Sequence, residues 1–341
     1  MDFSNILIRW YLQHKRELPW RNTSDPYFIW LSEIILQQTR VAQGLPYFLV
    51  FTEAFPTVFH LANADEERVL KLWQGLGYYS RARNLHKTAK HVAFDFRGIF
   101  PNNYTELLKL QGIGEYTAAA IASFSYNEAV PVVDGNVFRV LSRVFEVETD
   151  ITSSSARREF TSLAGELIPK DDPAVFNQAI MEFGAMQCIP KSPDCTICPL
   201  NYGCLALQKK KVSMLPVKSK KAAAKNRFLN YLVFSDEEGK TLLRKRTGKG
   251  IWENLYEFPV IETSEETGME GIFPKLDTEY EILSVIDFHE KSIVHKLTHQ
   301  HLHIKFRRVN VKGHIANGIT GSEIHNYPVP AVLSDFIQEH F

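Results

Sequence analysis

The sequence LQGIGEYT at residues 110–117 is followed directly by an alanine-rich run, AAAIAS, at residues 118–123. Gly112 and Gly114 flank one apolar residue, so the pattern predicts a tight turn at the start of a helix. The first N–H groups of a helix lack backbone partners and the helix dipole favours negative charge there, which makes this turn a candidate phosphate site. Gly-x-Gly alone, however, favours a plain corner between two helices.

A carboxylate lies a short distance beyond this turn. The run VPVV at residues 130–133 is typical of a strand, and Asp134 follows it just before the next predicted helix, at 136–145. Asp is a common helix N-cap, so a structural role is one interpretation. N-capping and catalysis are compatible, and a phosphate site beside a fixed carboxylate indicates chemistry on a nucleic acid.

Composition limits the possible functions. The chain has 341 residues, 45% of them hydrophobic, and a formal net charge of zero. This length predicts about two domains. A neutral chain has no general attraction to nucleic acid, so any DNA contact must come from local basic patches. No apolar run is long enough for a membrane span and MDFS does not begin a signal peptide, so we expect a soluble cytoplasmic protein.

The periodicity of hydrophobic residues changes along the chain. Helical patterns fill residues 1–205, with helices predicted at 3–14, 27–43, 65–74, 80–96, 154–167 and 173–183. From residue 228 the period becomes two: 228–234 and 241–245 predict a β-hairpin around an acidic turn at 236–239, and a last helix is predicted at 331–340.

The stretch between these two parts is basic. Residues 205–235 contain eight Lys and Arg and no acidic residue. We therefore predict a helical domain at 1–208, a basic linker at 209–226 and an α+β domain at 227–341. Such a linker could lie along a phosphate backbone, although a merely soluble linker would look similar.

Glu33 stands alone in an apolar helix, within the run WLSEIIL at residues 30–36. Desolvation should raise the pKa of a carboxyl on so apolar a face, which suits a general acid. For a single glutamate, a position at the wet edge of a helix is the simpler interpretation.

All four cysteines lie between residues 188 and 204, as Cys188, Cys195, Cys198 and Cys204. In an intracellular chain this clustering indicates a metal site rather than disulfides. Four thiolates can hold either zinc or a 4Fe–4S cluster. Zinc sites usually combine two Cys-x2-Cys pairs and only one is present, so the spacing favours the cluster.

Two further stretches are candidate binding surfaces. Tyr78 and Tyr79 lie on a glycine-flanked turn that arginines follow, a combination that suits insertion into a base stack, although both rings could simply cover a core edge. His299, His301 and His303 alternate and would share one face of a strand. A polar binding face is favoured there over a zinc site.

Together these stretches resemble the base-excision DNA glycosylases of the helix-hairpin-helix endonuclease III superfamily, and most closely its adenine DNA glycosylase (MutY) branch. The resemblance covers most of residues 15–205 and rests on 18–21, 32–39, 75–85, the Gly-x-Gly turn, 134–137 and the cysteine loop. It implies an all-α glycosylase domain with a 4Fe–4S cluster, followed by a Nudix-like domain that recognises 8-oxoguanine. The implied activity is hydrolysis of the N-glycosidic bond of adenine mispaired with 8-oxoguanine or guanine in duplex DNA, by a monomer at the bacterial nucleoid.

The resemblance also implies roles for single residues. Glu33 would protonate the adenine, Asp134 would stabilise the oxocarbenium ion, and Tyr116 and Asn136 would position them. The endonuclease III branch has a Schiff-base lysine at the place of Tyr116, so strand cleavage by that route is not expected. Substrate contacts are implied for the flipped base (Arg21, Gln178), the neighbouring stack (Gln38, Tyr78), the phosphate backbone (Gly112, Gly114) and 8-oxoguanine (Thr298, His299).

The chain departs from the branch in its second domain. Leu297-Thr298-His299 stands where Phe-Ser-His is common, so a hydroxyl is kept and an aromatic ring is lost. No Arg-Glu-x-x-Glu-Glu motif follows Glu257, so we expect no nucleotide pyrophosphatase activity. The alternative functions are a related glycosylase for another lesion and a non-catalytic iron–sulfur DNA-binding protein.

Overall fold

The computed structural model describes residues 2–219, 223–276 and 278–341. The chain forms two compact units: a helical unit, Met1–Asn63 with Asn84–Lys220, and a sheet unit, Ala64–Arg83 with Lys221–Phe341. The prediction of a helical part followed by an α+β part is confirmed. The domain boundaries at 208 and 226 stay a prediction, and the packing adds residues 64–83 to the sheet unit.

The α-helices are α1 (Phe3–His14), α2 (Pro26–Leu36), α3 (Val41–Ala54), α4 (Val58–Asn63), α5 (Glu66–Leu72), α6 (Ser80–Lys90), α7 (Tyr104–Leu107), α8 (Glu115–Tyr126), α9 (Gly135–Phe145), α10 (Ser154–Leu167), α11 (Pro173–Met186), α12 (Leu205–Gln208) and α13 (Ala331–His340). The strands are β1 (Lys225–Ser235), β2 (Arg244–Lys245), β3 (Tyr256–Glu257), β4 (Val260–Thr263), β5 (Ile282–Asp287), β6 (Ile293–Lys296) and β7 (Gln300–Val311). Among the described residues, no helix is both long and apolar enough to cross a bilayer.

The helix predicted at 27–43 is wrong in its second half. α2 ends at Leu36 and α3 begins at Val41, because Gln38 adopts a left-handed φ of +57° and the N–H of Thr39 turns back to the carbonyl of Leu36. The helix predicted at 80–96 also changes character, since α6 ends at Lys90 and a π-helical turn continues it to Asp95.

Two packed groups form the interior of the helical unit. The larger is made by α1, α9, α10 and α11, with Leu7, Val140, Phe160 and Phe176 fully buried among them. The smaller surrounds α8, in which every residue of 117–123 is buried. Small side chains let neighbouring helices approach α8 closely, which explains the alanine-rich composition of this run.

The sheet unit is built on a five-stranded mixed sheet in the order β4-β1-β7-β5, with β6 also paired to β7. β1 and β7 run parallel over their length, and β4, β5 and β6 pair antiparallel. The predicted hairpin of 228–234 with 241–245 is wrong. The carboxylate of Asp236 does hold a tight turn, but Thr241 bridges Ile319, and β2 pairs with β3.

Residues 64–83 join the sheet unit through side-chain hydrogen bonds. Glu66 accepts from Asn254 at 2.6 Å, Glu67 accepts from the hydroxyl of Tyr256 at 2.8 Å, and Gln74 donates to Ser334 at 2.7 Å. These partners are far apart in sequence, so the helical periodicity of 65–74 gave no indication of where α5 packs.

Candidate active site

A cavity of about 650 Å³ in the helical unit brings together the predicted catalytic residues and the two predicted contacts of the flipped base. Its walls include Arg21, Glu33, Tyr116, Asp134, Asn136 and Gln178. This volume, with apolar walls and a few convergent polar groups, is typical of a site for a small molecule or a single base.

Glu33 lies on α2 and is buried where α2 packs against α8. The hydroxyl of Tyr116, in the first turn of α8, donates a hydrogen bond of 2.6 Å to its Oε2. Burial raises the pKa of Glu33 to about 7, the bond from Tyr116 opposes that rise, and the nearby carboxylate of Asp134 adds to it. Around neutral pH much of Glu33 is therefore protonated, as a general acid must be.

Asp134 is held in a different environment, at the N-cap of α9. Its Oδ1 accepts the backbone N–H groups of Asn136 and Val137, and its Oδ2 accepts the side-chain amide of Asn136, all at 2.8 Å. Burial raises the pKa of Asp134, and these three donors oppose the rise. Three N–H donors favour the ionised form of Asp134, whereas Glu33 accepts only one hydrogen bond. This difference in donors lets Glu33 act as a protonated acid while Asp134 acts as a carboxylate.

Asn136 is in turn held by Arg139, a cavity residue that the sequence did not point to. The guanidinium of Arg139 donates to Asn136 Oδ1 at 2.9 Å and to the carbonyls of Gly184 at 2.6 Å and Cys188 at 2.8 Å. Gly184 is required beside this contact, because a Cβ there would lie 2.7 Å from that of Asn136. The three-residue spacing of Asn136 and Arg139 on α9 was the signal that could have found it.

Glu182 is a second residue that the sequence did not single out. This buried carboxylate accepts paired hydrogen bonds from Arg16, at 2.8 and 2.6 Å, and from Arg21, at 3.0 and 2.7 Å. Burial by itself would raise the pKa of Glu182, but the bonds from the two arginines lower it to about 2. The guanidinium of Arg21, which lines the cavity, is therefore held in place by the buried carboxylate of Glu182. Glu182 lies one helical turn beyond Gln178, which was the available signal.

The predicted Gly-x-Gly turn is present. Gly112 has a left-handed φ of +81°, and a Cβ there would lie 2.8 Å from the Cβ of Asn84, so this position needs glycine. Gly114 is the N-cap of α8, and Ile113 is buried between two exposed glycines. The turn is thus anchored in the core while its glycine backbone faces solvent.

The remaining predicted contacts lie elsewhere. Gln38 is exposed at the turn between α2 and α3, outside the lining of the cavity. Tyr78, Thr298 and His299 belong to the sheet unit and line a separate cavity of about 400 Å³. There the hydroxyls of Tyr78 and Thr298 are 2.5 Å apart, a hydrogen bond that the sequence did not predict. Thr298 lies at the tip of the antiparallel pair β6–β7.

The four cysteines line one small cavity of about 20 Å³, together with Arg143. Arg143 contacts the Sγ of Cys188 at 3.4 Å and holds the loop by donating to the carbonyls of Ile189 and Pro190. Within the described residues, no group of three or more His, Cys, Asp or Glu side chains lies close enough together to bind a single metal ion. Burial raises the pKa of Cys198 to about 11, so four thiolates at this cavity need a cationic group to offset their charge. This donor set fits an iron–sulfur cluster, which binds each thiolate through a separate iron.

The basic linker is only partly available for other partners. Lys209 and Lys211 pair with Glu146, Lys211 also pairs with Glu148, and Ser219 donates to Asp150. The described residues 209–219 therefore contact the helical unit, although most of them are exposed, and the bounds of the linker stay a prediction. Residues 220–222 of that prediction lie outside the described residues.

Comparison with known proteins identifies the family of the chain. A model of the HhH-GPD superfamily of base excision DNA repair proteins matches residues 31–166, and a NUDIX domain model matches residues 230–339. Over 305 residues the chain is 35% identical to an adenine DNA glycosylase of Buchnera aphidicola subsp. Schizaphis graminum, covering 89% of this chain and 86% of the relative. The chain belongs to the adenine DNA glycosylase family. The predicted family is thereby confirmed, as is the Nudix-like nature of the second part.

More distant relatives extend the similarity. The adenine DNA glycosylase of Schizosaccharomyces pombe is 30% identical, with 94% of this chain and 82% of that protein covered. A thermostable thymine-DNA glycosylase of known structure aligns with a TM-score of 0.55 at 27% identity, over 61% of this chain and 95% of its own. A non-covalent endonuclease III–DNA complex aligns with a TM-score of 0.53 at 24% identity, over 61% of this chain and 94% of its own, a likeness of fold alone.

Proposed function

We propose that this chain is a monofunctional N-glycosylase that hydrolyses the glycosidic bond of adenine mispaired with 8-oxoguanine or guanine in duplex DNA. The observation that carries the proposal is the pair of buried carboxyl groups in one base-sized cavity, one with a pKa near neutrality and one held by three N–H donors. Cleavage of a glycosidic bond uses such a pair, one group protonated and one ionised.

The chemical steps follow from these two groups. The adenine is first extruded from the duplex, at a cost of a few kcal/mol. Glu33 gives its proton to N7 of the base, so the C1′–N9 bond breaks with its electron pair leaving on the adenine. Asp134 stabilises the positive charge that develops on the sugar. Water then adds its oxygen to C1′ and gives a proton to the Glu33 carboxylate, which restores the acid. Tyr116 holds Glu33 through its hydroxyl and has no amine, so it cannot form the Schiff base of a lyase.

The four cysteines and Thr298 have proposed roles outside the catalytic cavity. Cys188, Cys195, Cys198 and Cys204 would hold a 4Fe–4S cluster, which would cross-link their loop and offset the charge of four thiolates. Recognition of 8-oxoguanine is assigned to Thr298 and its neighbours, because an exposed hydroxyl at the tip of β6–β7 can donate or accept.

The carboxylate variants test the mechanism. We expect Glu33→Gln and Asp134→Asn each to abolish release of adenine while duplex binding is kept, whereas Glu166→Gln, an exposed residue of α10, should match the wild type. Turnover at the wild-type rate in either active-site variant would contradict the mechanism. If the wild-type protein released no base either, the chain would be a DNA-binding protein without glycosylase activity.

The cluster has its own test. The purified protein should absorb broadly near about 400 nm, as cubane iron–sulfur clusters do, and should contain iron. A colourless protein with one zinc per chain would contradict this part of the proposal.

A further inference from the structure

Tyr11 contacts both residues to which base recognition is assigned, although it lies outside the lining of the cavity. It lies on α1 and is buried. Its hydroxyl donates a hydrogen bond of 2.5 Å to Oε1 of Gln178, and the guanidinium of Arg21 lies over its ring, 5.6 Å from the centroid. The residue is therefore placed to act on the cavity through its neighbours.

The hydrogen bond determines which end of the Gln178 amide faces the cavity. A glutamine side chain carries an acceptor oxygen and a donor nitrogen of nearly equal size, so packing alone cannot distinguish its two orientations. Because Oε1 accepts from Tyr11, the amide nitrogen is the end left for the cavity. In the opposite orientation the hydroxyl would have to accept from that nitrogen, and its own proton would then have no acceptor among the described residues. Burial raises the pKa of Tyr11, so its hydroxyl stays protonated and can donate.

The orientation of the Gln178 amide affects which kind of base the cavity accepts. Arg21 presents only donors, and Gln178 held in this orientation adds N–H donors at a second point. A purine ring nitrogen without a proton is an acceptor and can form a hydrogen bond with either of these N–H donors. If the amide turned over, its oxygen would meet that nitrogen and two acceptors would face each other in a desolvated site, which is costly.

We propose that Tyr11 is a positioning residue of the base pocket: its hydroxyl locks the Gln178 amide with its N–H groups toward the flipped purine. Tyr11 touches neither base nor sugar in this scheme. The inference rests on the proposed function, since it presumes that the cavity receives adenine.

Tyr11→Phe is the informative variant, because it keeps the ring beneath Arg21 and removes only the hydroxyl. Loss of one hydrogen bond of this kind should lower the single-turnover rate of adenine release about tenfold, with the affinity for duplex unchanged. The matched control is Tyr27→Phe. Tyr27 is also buried and its hydroxyl donates to the carbonyl of Phe55 at 2.6 Å, away from the cavity, so this variant reports the cost of losing a buried tyrosine hydroxyl alone.

A double-mutant cycle with Gln178→Ala separates positioning from a merely structural role. If Tyr11 acts through Gln178, Tyr11→Phe should change the rate less than about twofold in the Gln178→Ala background. A Tyr11→Phe rate equal to wild type, a loss matched by Tyr27→Phe, or an undiminished loss in the Gln178→Ala background would each overturn the inference. A wild-type protein that releases no adenine would instead overturn the proposed function.

Discussion

Replacing Glu33 by glutamine should stabilise this protein at alkaline pH while abolishing its chemistry. The pKa of Glu33 is raised from 4.5 to about 7, mainly by burial, so the folded chain binds this proton more tightly than the unfolded chain. The folded state therefore loses stability as pH rises from about 4.5 through about 7. At about 1.4 kcal/mol for each pH unit, the full penalty is about 3 kcal/mol.

Glutamine resembles the neutral acid, since its oxygen can still accept from the hydroxyl of Tyr116, and it does not titrate. The free energy of unfolding of Glu33→Gln should thus exceed that of wild type by about 3 kcal/mol at pH 8 and by under about 1 kcal/mol at pH 5. Urea unfolding followed by far-UV circular dichroism measures both values. Glu166→Gln, at an exposed site, should show no such pH-dependent gain.

A Glu33→Gln variant that is no more stable than wild type at pH 8 would show that burial does not raise the pKa of Glu33 to this extent. A gain of equal size at both pH values would also contradict the raised pKa, because a constant difference cannot come from titration of Glu33.

Three other results are expected. The single-turnover rate of base release should fall as pH rises through about 7, because the protonated form of Glu33 is lost, and a flat profile from pH 6 to 9 would argue against an acid there. Gly112→Ala should lower the free energy of unfolding by about 1–2 kcal/mol because of its left-handed φ, whereas Gly114→Ala, with φ −91° and open space around the Cβ, should cost much less; equal costs would count against the strain. Glu182→Gln should destabilise the helical unit by about 3 kcal/mol in thermal unfolding, because two arginines lose a buried partner, and an unchanged melting temperature would show that the pairs contribute little.

Local patterns predicted individual elements well. α1, α10 and α13 have the predicted bounds, because amphipathic periodicity and capping residues such as Ser153 act within a few residues. The break at Gln38 carries neither glycine nor proline, so nothing local marked it. β1 pairs with β7, in which Gln300 lies opposite Lys225, and also with β4, and a periodicity of two identifies a strand without identifying its neighbours.

The residues of the candidate site also differ in how well local sequence marks them. Glu33, Asp134 and the four cysteines stand in unusual local surroundings and could be singled out along the chain. Local surroundings did not mark Tyr11, and for Glu182 they offered only its spacing of one helical turn from Gln178. Each of the two contacts a partner more than 150 residues away in sequence, Gln178 and Arg21 respectively. Residues with unusual local surroundings were thus easier to find than the residues that hold other side chains in place.

The most direct test of the proposed function is a single-turnover assay on three duplexes, with strand breaks scored before and after alkali. The duplexes carry adenine opposite 8-oxoguanine, adenine opposite guanine, and thymine glycol opposite adenine. We expect breaks only in the adenine strand of the two mispairs and only after alkali, because Tyr116 offers no amine for strand cleavage. Cleavage at thymine glycol without alkali would contradict the account and assign the chain the chemistry of a bifunctional lyase.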